Sequence, residues 1–242
     1  MTIVKALSLS SIALLTPSLF ACDGRSIPAH VDPDSVHAAQ VAFDPSAYLK
    51  GGERVFFDDF ERQELGERWR LDRLQAEADG PDWRIESGWL RTQNTKNQGV
   101  WAEVIPEGPV RVELVAQSLT PKNPRQKFAG DLKVEAFATK PNHEAGYSFI
   151  NGGWQNQFDT IAKLGEHSAD DRRAPARPLD PDKAYRYAVV RLKDKLLFFR
   201  DGELLYTFDD AAVLQGRWLG LNNWTSEAAF GEVAVFKLPP EP

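Results

Sequence analysis

The chain has 242 residues, of which 42% are hydrophobic and 11% aromatic, and a formal net charge of −6. This length and composition suit one domain with a sizeable core, plus short appendages. The acidic balance argues against a nucleic-acid partner, because proteins that bind nucleic acid use a basic stripe to neutralise phosphates. The single cysteine excludes an intrachain disulfide.

Residues 1–21 are predicted to form a signal peptide. Lys5 carries the only side-chain charge before an apolar and small-residue run, Ala6 to Phe20. That run is too short to span a bilayer permanently but suits a secretory hydrophobic region. It ends in LFAC, which resembles the lipobox of bacterial lipoproteins, with Phe20 as the departure. The resemblance implies a lipidated Cys22 and an exported, membrane-anchored envelope protein, facing the periplasm or the cell surface. Ordinary signal-peptidase cleavage is the alternative.

The segment after the cysteine reads as a linker. Residues 22–52 are rich in Pro, Asp, Ala and His and show no sustained period, which favours a tether that lifts a domain off the membrane. We place the folded domain at residues 53–238 and a short tail at 239–242.

From residue 53 onward the pattern is that of short strands divided by turns. Residues 110–117 alternate cleanly, with Val112, Leu114 and Ala116 on one side. Asp201-Gly202 between two apolar runs predicts a hairpin with a tight primed turn. Little helical periodicity interrupts these strands, so the sequence predicts an all-β domain.

The residues from Gly146 to His167 read as two strands joined by a Gly-Gly-Trp turn that includes Trp154. Alternation on the second strand places one polar and one apolar set on opposite faces. The polar set is Gln155, Gln157, Asp159 and Lys163, and the other is Phe158, Thr160, Ala162 and Leu164. We interpret the apolar set as the core face and the polar set as a sugar-binding face; an ordinary half-solvated strand is the alternative.

Four stretches together resemble the bacterial concanavalin A-like lectin and glucanase sandwiches, near the laminin-G-like and 3-keto-disaccharide hydrolase-type domains. They are FFDDFERQELGERW, DWRIESGWL, YAVVRLKDKLLFFRDGELLYTFDD and WLGLNNWTSEAAFGEVAVFKL. The resemblance implies a jelly roll of two curved antiparallel sheets, with ligands across the concave sheet. It also implies a possible structural Ca²⁺ near the chain ends, for which Asp58 and Asp59 are the candidate donors.

Family 16 glucanases of this fold carry the run ExDxxE on one strand, and no such run occurs here. A retaining mechanism needs two carboxyl groups about 5–5.5 Å apart. Glu135 and Asp159 form the best candidate catalytic pair if their faces coincide, and Glu103 is a third acid. The alternative is that these acids form surface ion pairs with Lys133, Arg111 or Lys163.

The tryptophans fall into two groups according to the residues next to them in sequence. Trp69, Trp83 and Trp89 fall where sandwiches seal their ends, which favours core packing. Trp101, Trp154 and Trp224 lie beside polar runs and are candidates for stacking against sugar rings. The other candidate ligand-binding residues are Glu103, Asn156, Gln157, Lys163, His167 and Asn222.

These features favour a lipid-anchored envelope protein with a carbohydrate-binding concanavalin A-like domain, whose partners are a glycan and, through the lipid, a membrane. A glycoside hydrolase of the same fold, using paired carboxylates, is one alternative. A non-catalytic structural or adhesion module is the other.

Overall fold

A computed structural model describes residues 43–71, 83–93, 95–122, 128–167 and 172–240. In these residues nearly all regular structure is β, arranged as two antiparallel sheets. This confirms the all-β sandwich that the strand pattern predicts. Within the described ranges, no helix is long and apolar enough to span a membrane.

The first sheet has eight strands in the described part of the chain. Seven of them follow the spatial order β13 (Glu203–Asp209), β12 (Lys195–Arg200), β11 (Ala184–Arg191), β6 (Val110–Ser118), β15 (Glu227–Lys237), β4 (Trp89–Gln93) and β3 (Arg84–Glu86), and β1 (Glu53–Asp58) pairs with β15.

The second sheet has seven strands within the same ranges. Their spatial order is β10 (Arg172–Pro175), β9 (Phe158–Lys163), β8 (Tyr147–Gly152), β7 (Leu132–Ala138), β14 (Trp218–Asn222), β5 (Val100–Glu103) and β2 (Arg70–Leu71). A short helix, α1 (Gly153–Asn156), joins β8 to β9, so the predicted hairpin around the Gly-Gly-Trp turn is confirmed.

The main core lies between the two sheets. Val112, Leu114 and Ala116 of β6 are buried in it, as their alternation predicts. Phe149 of the second sheet packs edge-on against Phe198 of the first, with ring centroids 5.7 Å apart. Each such side chain, fully buried, contributes roughly 1.5–3 kcal/mol through the hydrophobic effect.

The predicted primed turn at Asp201-Gly202 is confirmed. The two residues connect β12 to β13 and have φ values of 51° and 82°. Both values are positive, as a type I′ turn requires, and glycine adopts this conformation without steric cost.

Phe137 departs from the regular alternation of β7, which would place its side chain on the same face as Lys133 and Glu135. Its φ is 59°, and the pairing between β14 and β7 shifts between Trp218 and Gly220. This irregularity turns the Phe137 ring into the core, where it packs against Phe149.

The end of the predicted linker is part of the folded domain. A 3-10 helix spans Pro45–Leu49, and Leu49 packs against a cluster on the first sheet. The Arg111 guanidinium donates to the carbonyl oxygens of Tyr48, Lys50 and Gly51. Residues 43–52, which the sequence assigns to the linker, therefore belong to the folded domain. The predicted signal peptide and Cys22 lie outside the described residues.

Candidate functional site

The strand register decides which side chains share a face of the second sheet. Glu135 of β7 lies opposite Ser148 of β8, and Ser148 lies opposite Ala162 of β9. These three side chains therefore point the same way, away from the first sheet, and we call this side the outer face. Asp159 is an odd number of residues from Ala162, so it points to the inner face.

Asp159 holds the fold together on the inner face. Its carboxylate accepts hydrogen bonds from Asn151 Nδ2 (2.6 Å), the Gly152 N–H (3.0 Å) and the Arg177 N–H (2.9 Å). Asn151 Oδ1 in turn accepts from the Tyr187 hydroxyl of the first sheet at 2.7 Å. The predicted catalytic pairing of Asp159 with Glu135 is therefore wrong, because the two carboxylates lie on opposite faces of the sheet.

The rest of the predicted polar row also has structural partners or lies elsewhere. Lys163 Nζ forms an ion pair with the Asp210 carboxylate at 2.8 Å. The Asn156 side chain exchanges hydrogen bonds with the Leu179 backbone, at 3.0 and 2.9 Å. Gln157 is exposed at the end of α1. The interpretation of Gln157, Asp159 and Lys163 as one ligand-binding face is therefore wrong.

Glu135 lies at the centre of the outer face and is only 1% exposed. Its carboxylate accepts from Ser148 Oγ at 2.6 Å and from Asn222 Nδ2 at 3.3 Å. His143 Nδ1 lies 2.7 Å from the same carboxylate. Both carboxylate oxygens are therefore occupied by side chains of the protein.

A lysine on the same strand joins a second group of charges. Lys133 Nζ donates to Glu166 Oε2 at 2.8 Å and to Asn97 Oδ1 at 2.9 Å, and lies 3.6 Å from Asp131 Oδ1. Glu166 Oε1 accepts from Asn97 Nδ2 at 3.0 Å and lies 4.0 Å from His143 Nε2. His143 thus connects both groups. We call the whole set the outer-face network: Asp131, Lys133, Glu135, His143 and Glu166, with Asn97, Ser148 and Asn222.

Burial and charge act against each other in this network. Burial raises the pKa of Asp131 above its ordinary value, and the nearby Glu166 adds to the rise. Burial opposes the charge of Glu166 as well, but the Lys133 ammonium outweighs it and lowers the Glu166 pKa. Burial also opposes protonation of His143, yet the Glu135 carboxylate outweighs it, so the His143 pKa is raised above 6.5.

Trp101 is fully buried on the outer face, in contact with Ala138, Ala145 and Trp218. A Cβ on Gly220 would lie 2.7 Å from the indole ring, so the glycine makes room for it. Among the described residues the Trp101 Nε1–H has no hydrogen-bond partner. Such a buried donor calls for a water molecule or a ligand hydroxyl.

Two further tryptophans adjoin the network. Trp224 is 45% exposed, its carbonyl oxygen accepts from the Lys96 N–H at 2.8 Å, and its backbone lies near the Asp131 carboxylate. Trp154, half-buried in α1, carries the Arg173 guanidinium 3.6 Å above its ring. The His167 ring, directly after Glu166 in sequence, packs edge-on to Trp154 at 6.1 Å.

The remaining predicted residues lie apart from the network. Glu103, on β5, lies 3.8 Å from Arg217. The Asp58 carboxylate accepts from the Arg62 guanidinium at 2.5 and 2.8 Å and from Trp69 Nε1 at 2.8 Å. A Ca²⁺ ion at Asp58 would have to compete with that cation, so this arrangement contradicts the predicted calcium donor. Asp59 accepts from the Glu61 N–H at 3.0 Å.

Sequence reasoning missed Asp131, Lys133, His143 and Glu166 as one group. Lys133 and Glu135 alternate along β7 and Asp131 directly precedes that strand, and this spacing in sequence is the signal that could have found them. His143 and Glu166 come from loops after β7 and β9, and their approach depends on the packing of those loops.

No protein-family model matches the chain, and no curated protein matches it in sequence. Solved structures share its fold. A protein of unknown function with a galectin-like fold from Bacillus subtilis is 14% identical, with a TM-score of 0.59 over 79% of this chain and 99% of the other. An endo-β-1,3-glucanase from Pyrococcus furiosus is 13% identical, with a TM-score of 0.56 over 78% and 96%. The Bacillus subtilis carbohydrate-binding module CBM66 is 14% identical, with a TM-score of 0.53 over 70% and 96%. The fold is thus the concanavalin A-like jelly roll that the sequence resembles.

Proposed function

We propose that the chain is a carbohydrate-binding protein whose sandwich holds a glycan on the outer face of its second sheet. The observation that carries this proposal is the exposed Trp224 beside the outer-face network. A sugar ring packs its C–H face on an aromatic plane while polar side chains bond its hydroxyl groups. Trp224 supplies such a plane, and Asp131 and Asn97 lie beside it.

A second aromatic group adjoins Glu166, since His167 Nε2 lies 3.9 Å from Glu166 Oε1. Trp154 and His167 pack together there, and the exposed fraction of the His167 side chain is 75%. With Arg173 stacked over the Trp154 ring, this group offers an aromatic edge and a cation together. A glycan of several residues could contact both groups while the network between them bonds its hydroxyls.

Binding is better supported than hydrolysis. A general acid must reach the glycosidic oxygen, and a nucleophile must reach the sugar carbon. Glu135 is buried, with both carboxylate oxygens bonded to protein groups, and Asp159 faces the first sheet. The similarity in fold to a carbohydrate-binding module and to a glucanase fits either activity, so the geometry of these carboxylates is what favours binding.

The test is a glycan array probed with the soluble domain from residue 43, followed by calorimetric titration of the best ligand. We expect Trp224→Ala to weaken binding by roughly 1–3 kcal/mol, by analogy with the loss of stacking between bases and aromatic side chains. Phe43, on another part of the surface and 49% exposed, gives the matched control, and Phe43→Ala should bind normally. Equal affinity for the wild type and Trp224→Ala would contradict the proposal.

We further propose that Cys22 is lipidated and anchors this domain at a bacterial cell envelope. The support is the single cysteine at the end of a lipobox-like segment. In full-length protein, Cys22→Ser should move the chain from the detergent phase to the aqueous phase in a phase-partition assay. Continued partition of the mutant into the detergent phase would contradict lipid anchoring.

A further inference from the structure

A groove lies at the edge of the second sheet that is opposite to Trp154. It has a volume of about 570 Å³ and is lined, among others, by Arg68, Arg70, Arg217, Trp218, Glu67 and Glu103. This volume falls within the roughly 300–1,000 Å³ that small-molecule sites occupy. The groove follows strands β2, β5 and β14, whereas the Trp154 group lies near β9 and β10.

The local sequence explains why two of the arginines line the groove together. Arg68 and Arg70 flank Trp69, which is buried in the core and donates its Nε1–H to Asp58 at 2.8 Å. Burial of the middle residue leaves its two neighbours on the exposed side. Arg217 enters from the residue before β14 and is also exposed.

The groove is positively charged on an acidic protein. Three guanidinium groups face two carboxylates there, although the chain as a whole has a net charge of −6. The ion pair between Arg217 Nε and Glu103 is long, at 3.8 Å, and both side chains are largely exposed. In the described part of the chain, Arg68 has no ion pair or hydrogen bond. These guanidinium groups are therefore positioned to bind an anion.

An aromatic ring completes the groove. The Arg70 guanidinium lies over the half-buried Trp218, 5.4 Å from its ring centroid. Trp218 also packs against Trp101, whose buried N–H has no partner among the described residues. A guanidinium beside a tryptophan suits a ring that bears a carboxylate, because the ring stacks while the carboxylate takes charge-assisted hydrogen bonds.

We propose that this groove binds a uronate residue of an acidic glycan, with Arg217 and Arg68 contacting its carboxylate and Trp218 its ring. This inference rests on the proposed glycan binding, since it adds a charged subsite on the same sheet as the Trp224 site. It assigns the ligand class, an acidic polysaccharide rather than a neutral one.

The experiment is a calorimetric titration of the domain with a panel of uronate oligosaccharides: oligogalacturonate, oligomannuronate and a hyaluronan hexamer. Each is compared with its methyl-esterified form, which keeps the ring and removes the charge. We expect at least one acidic oligomer to bind roughly tenfold more tightly than its ester, and we expect this difference to shrink as salt is added.

The variants locate the charged subsite. Arg217→Gln should weaken binding of the acidic oligomer roughly five- to tenfold and leave binding of the ester unchanged. Arg186→Gln is the matched control, because Arg186 is an exposed arginine on the first sheet with a similarly long ion pair, 4.0 Å from Glu232. The control should bind both forms like the wild type.

Three results would overturn the inference: no acidic oligomer binds, acid and ester bind equally, or Arg217→Gln behaves like Arg186→Gln. Equal or tighter binding of inorganic polyphosphate would likewise overturn the uronate assignment and leave a general anion site. If neutral glycans bind and Trp224→Ala weakens that binding, the proposed function stands even where the uronate inference fails.

Discussion

The two faces of the second sheet use buried carboxylates in opposite ways. Asp159, on the inner face, takes two of its three hydrogen bonds from backbone N–H groups. Glu135, on the outer face, is bonded within the described ranges only to side chains, those of His143, Ser148 and Asn222. A carboxylate that binds backbone fixes the path of the chain, whereas one that binds side chains positions groups that a ligand can also contact.

The two carboxylates are equally buried, with Glu135 1% and Asp159 2% exposed, but their surroundings differ. On the outer face, Glu135 shares its surroundings with Lys133, Glu166 and the exposed Trp224. On the inner face, Asp159 is bonded to Asn151, which in turn is bonded to the first sheet. Buried polar groups are thus no guide to function by themselves. The groups to which they are bonded distinguish the two roles.

The largest effect that this comparison predicts is on stability. Asp159→Ala removes the carboxylate that accepts from two buried donors, Asn151 Nδ2 and the Gly152 N–H, and from the part-buried Arg177 N–H. Each buried donor left without an acceptor costs about 1–3 kcal/mol, so we expect the free energy of unfolding to fall by ~3 kcal/mol or more. The measurement is urea denaturation of the domain. Asp209→Ala is the control, because Asp209 is an exposed acid on β13, and its change should stay below about 1 kcal/mol. A stable Asp159→Ala domain that no longer binds glycan would reverse the assignment of the two faces.

A smaller loss of stability is expected at Gly220, on the outer face. An added methyl group would lie 2.7 Å from the Trp101 indole, and overpacking of this kind costs roughly 1–3 kcal/mol. Gly220→Ala should therefore destabilise the domain and change the near-ultraviolet circular dichroism of Trp101. Gly202→Ala is the comparison variant, because it tests backbone strain without overpacking. No atom lies within 4 Å of its added Cβ, and only the positive φ is strained. Unchanged stability of Gly220→Ala would contradict the close packing of Trp101.

The smallest of these effects is a pH dependence specific to the outer face. His143 has a raised pKa in the folded state, because the Glu135 carboxylate outweighs the effect of burial. A histidine whose pKa is higher in the folded than in the unfolded state stabilises the fold while it is protonated. For His143 this stabilisation is complete below the unfolded-state pKa of 6.5 and is lost as the pH rises through the folded-state pKa. The wild type should therefore lose stability across that window relative to His143→Gln, as measured by denaturation at several pH values. A parallel pH profile for the two proteins would contradict the His143–Glu135 coupling.

Much of the fold could be predicted from sequence, because its signals are local. Alternation along β6 and the turn at Asp201-Gly202 depend only on neighbouring residues. Alternation also grouped Asp159 with Lys163 correctly, but it cannot tell which face is the core. On the inner face the Asp159 carboxylate accepts hydrogen bonds from Asn151 and the Gly152 N–H of β8, and these partners depend on the pairing of β8 with β9.

The candidate site was less predictable, because it is assembled from distant segments. Trp101 and Trp224 were identified from polar neighbours in sequence, yet the first is fully buried and only the second is exposed. Nothing local distinguishes them, since the burial of Trp101 depends on the close approach of Gly220 from β14. The contact of Glu166 with Lys133 spans 33 residues and depends on the packing of two loops.

The central claim is that glycan binds the outer face of the second sheet, and the seven tryptophans of the chain offer a direct test. Each has an indole N–H that gives its own signal in a ¹H–¹⁵N spectrum of the domain. On saturation with a glycan that binds, the signals of Trp101, Trp154 and Trp224 should shift. Those of Trp69, Trp83 and Trp89, which pack in the core or on the first sheet, should stay in place. Shifts confined to the second set would contradict the claim.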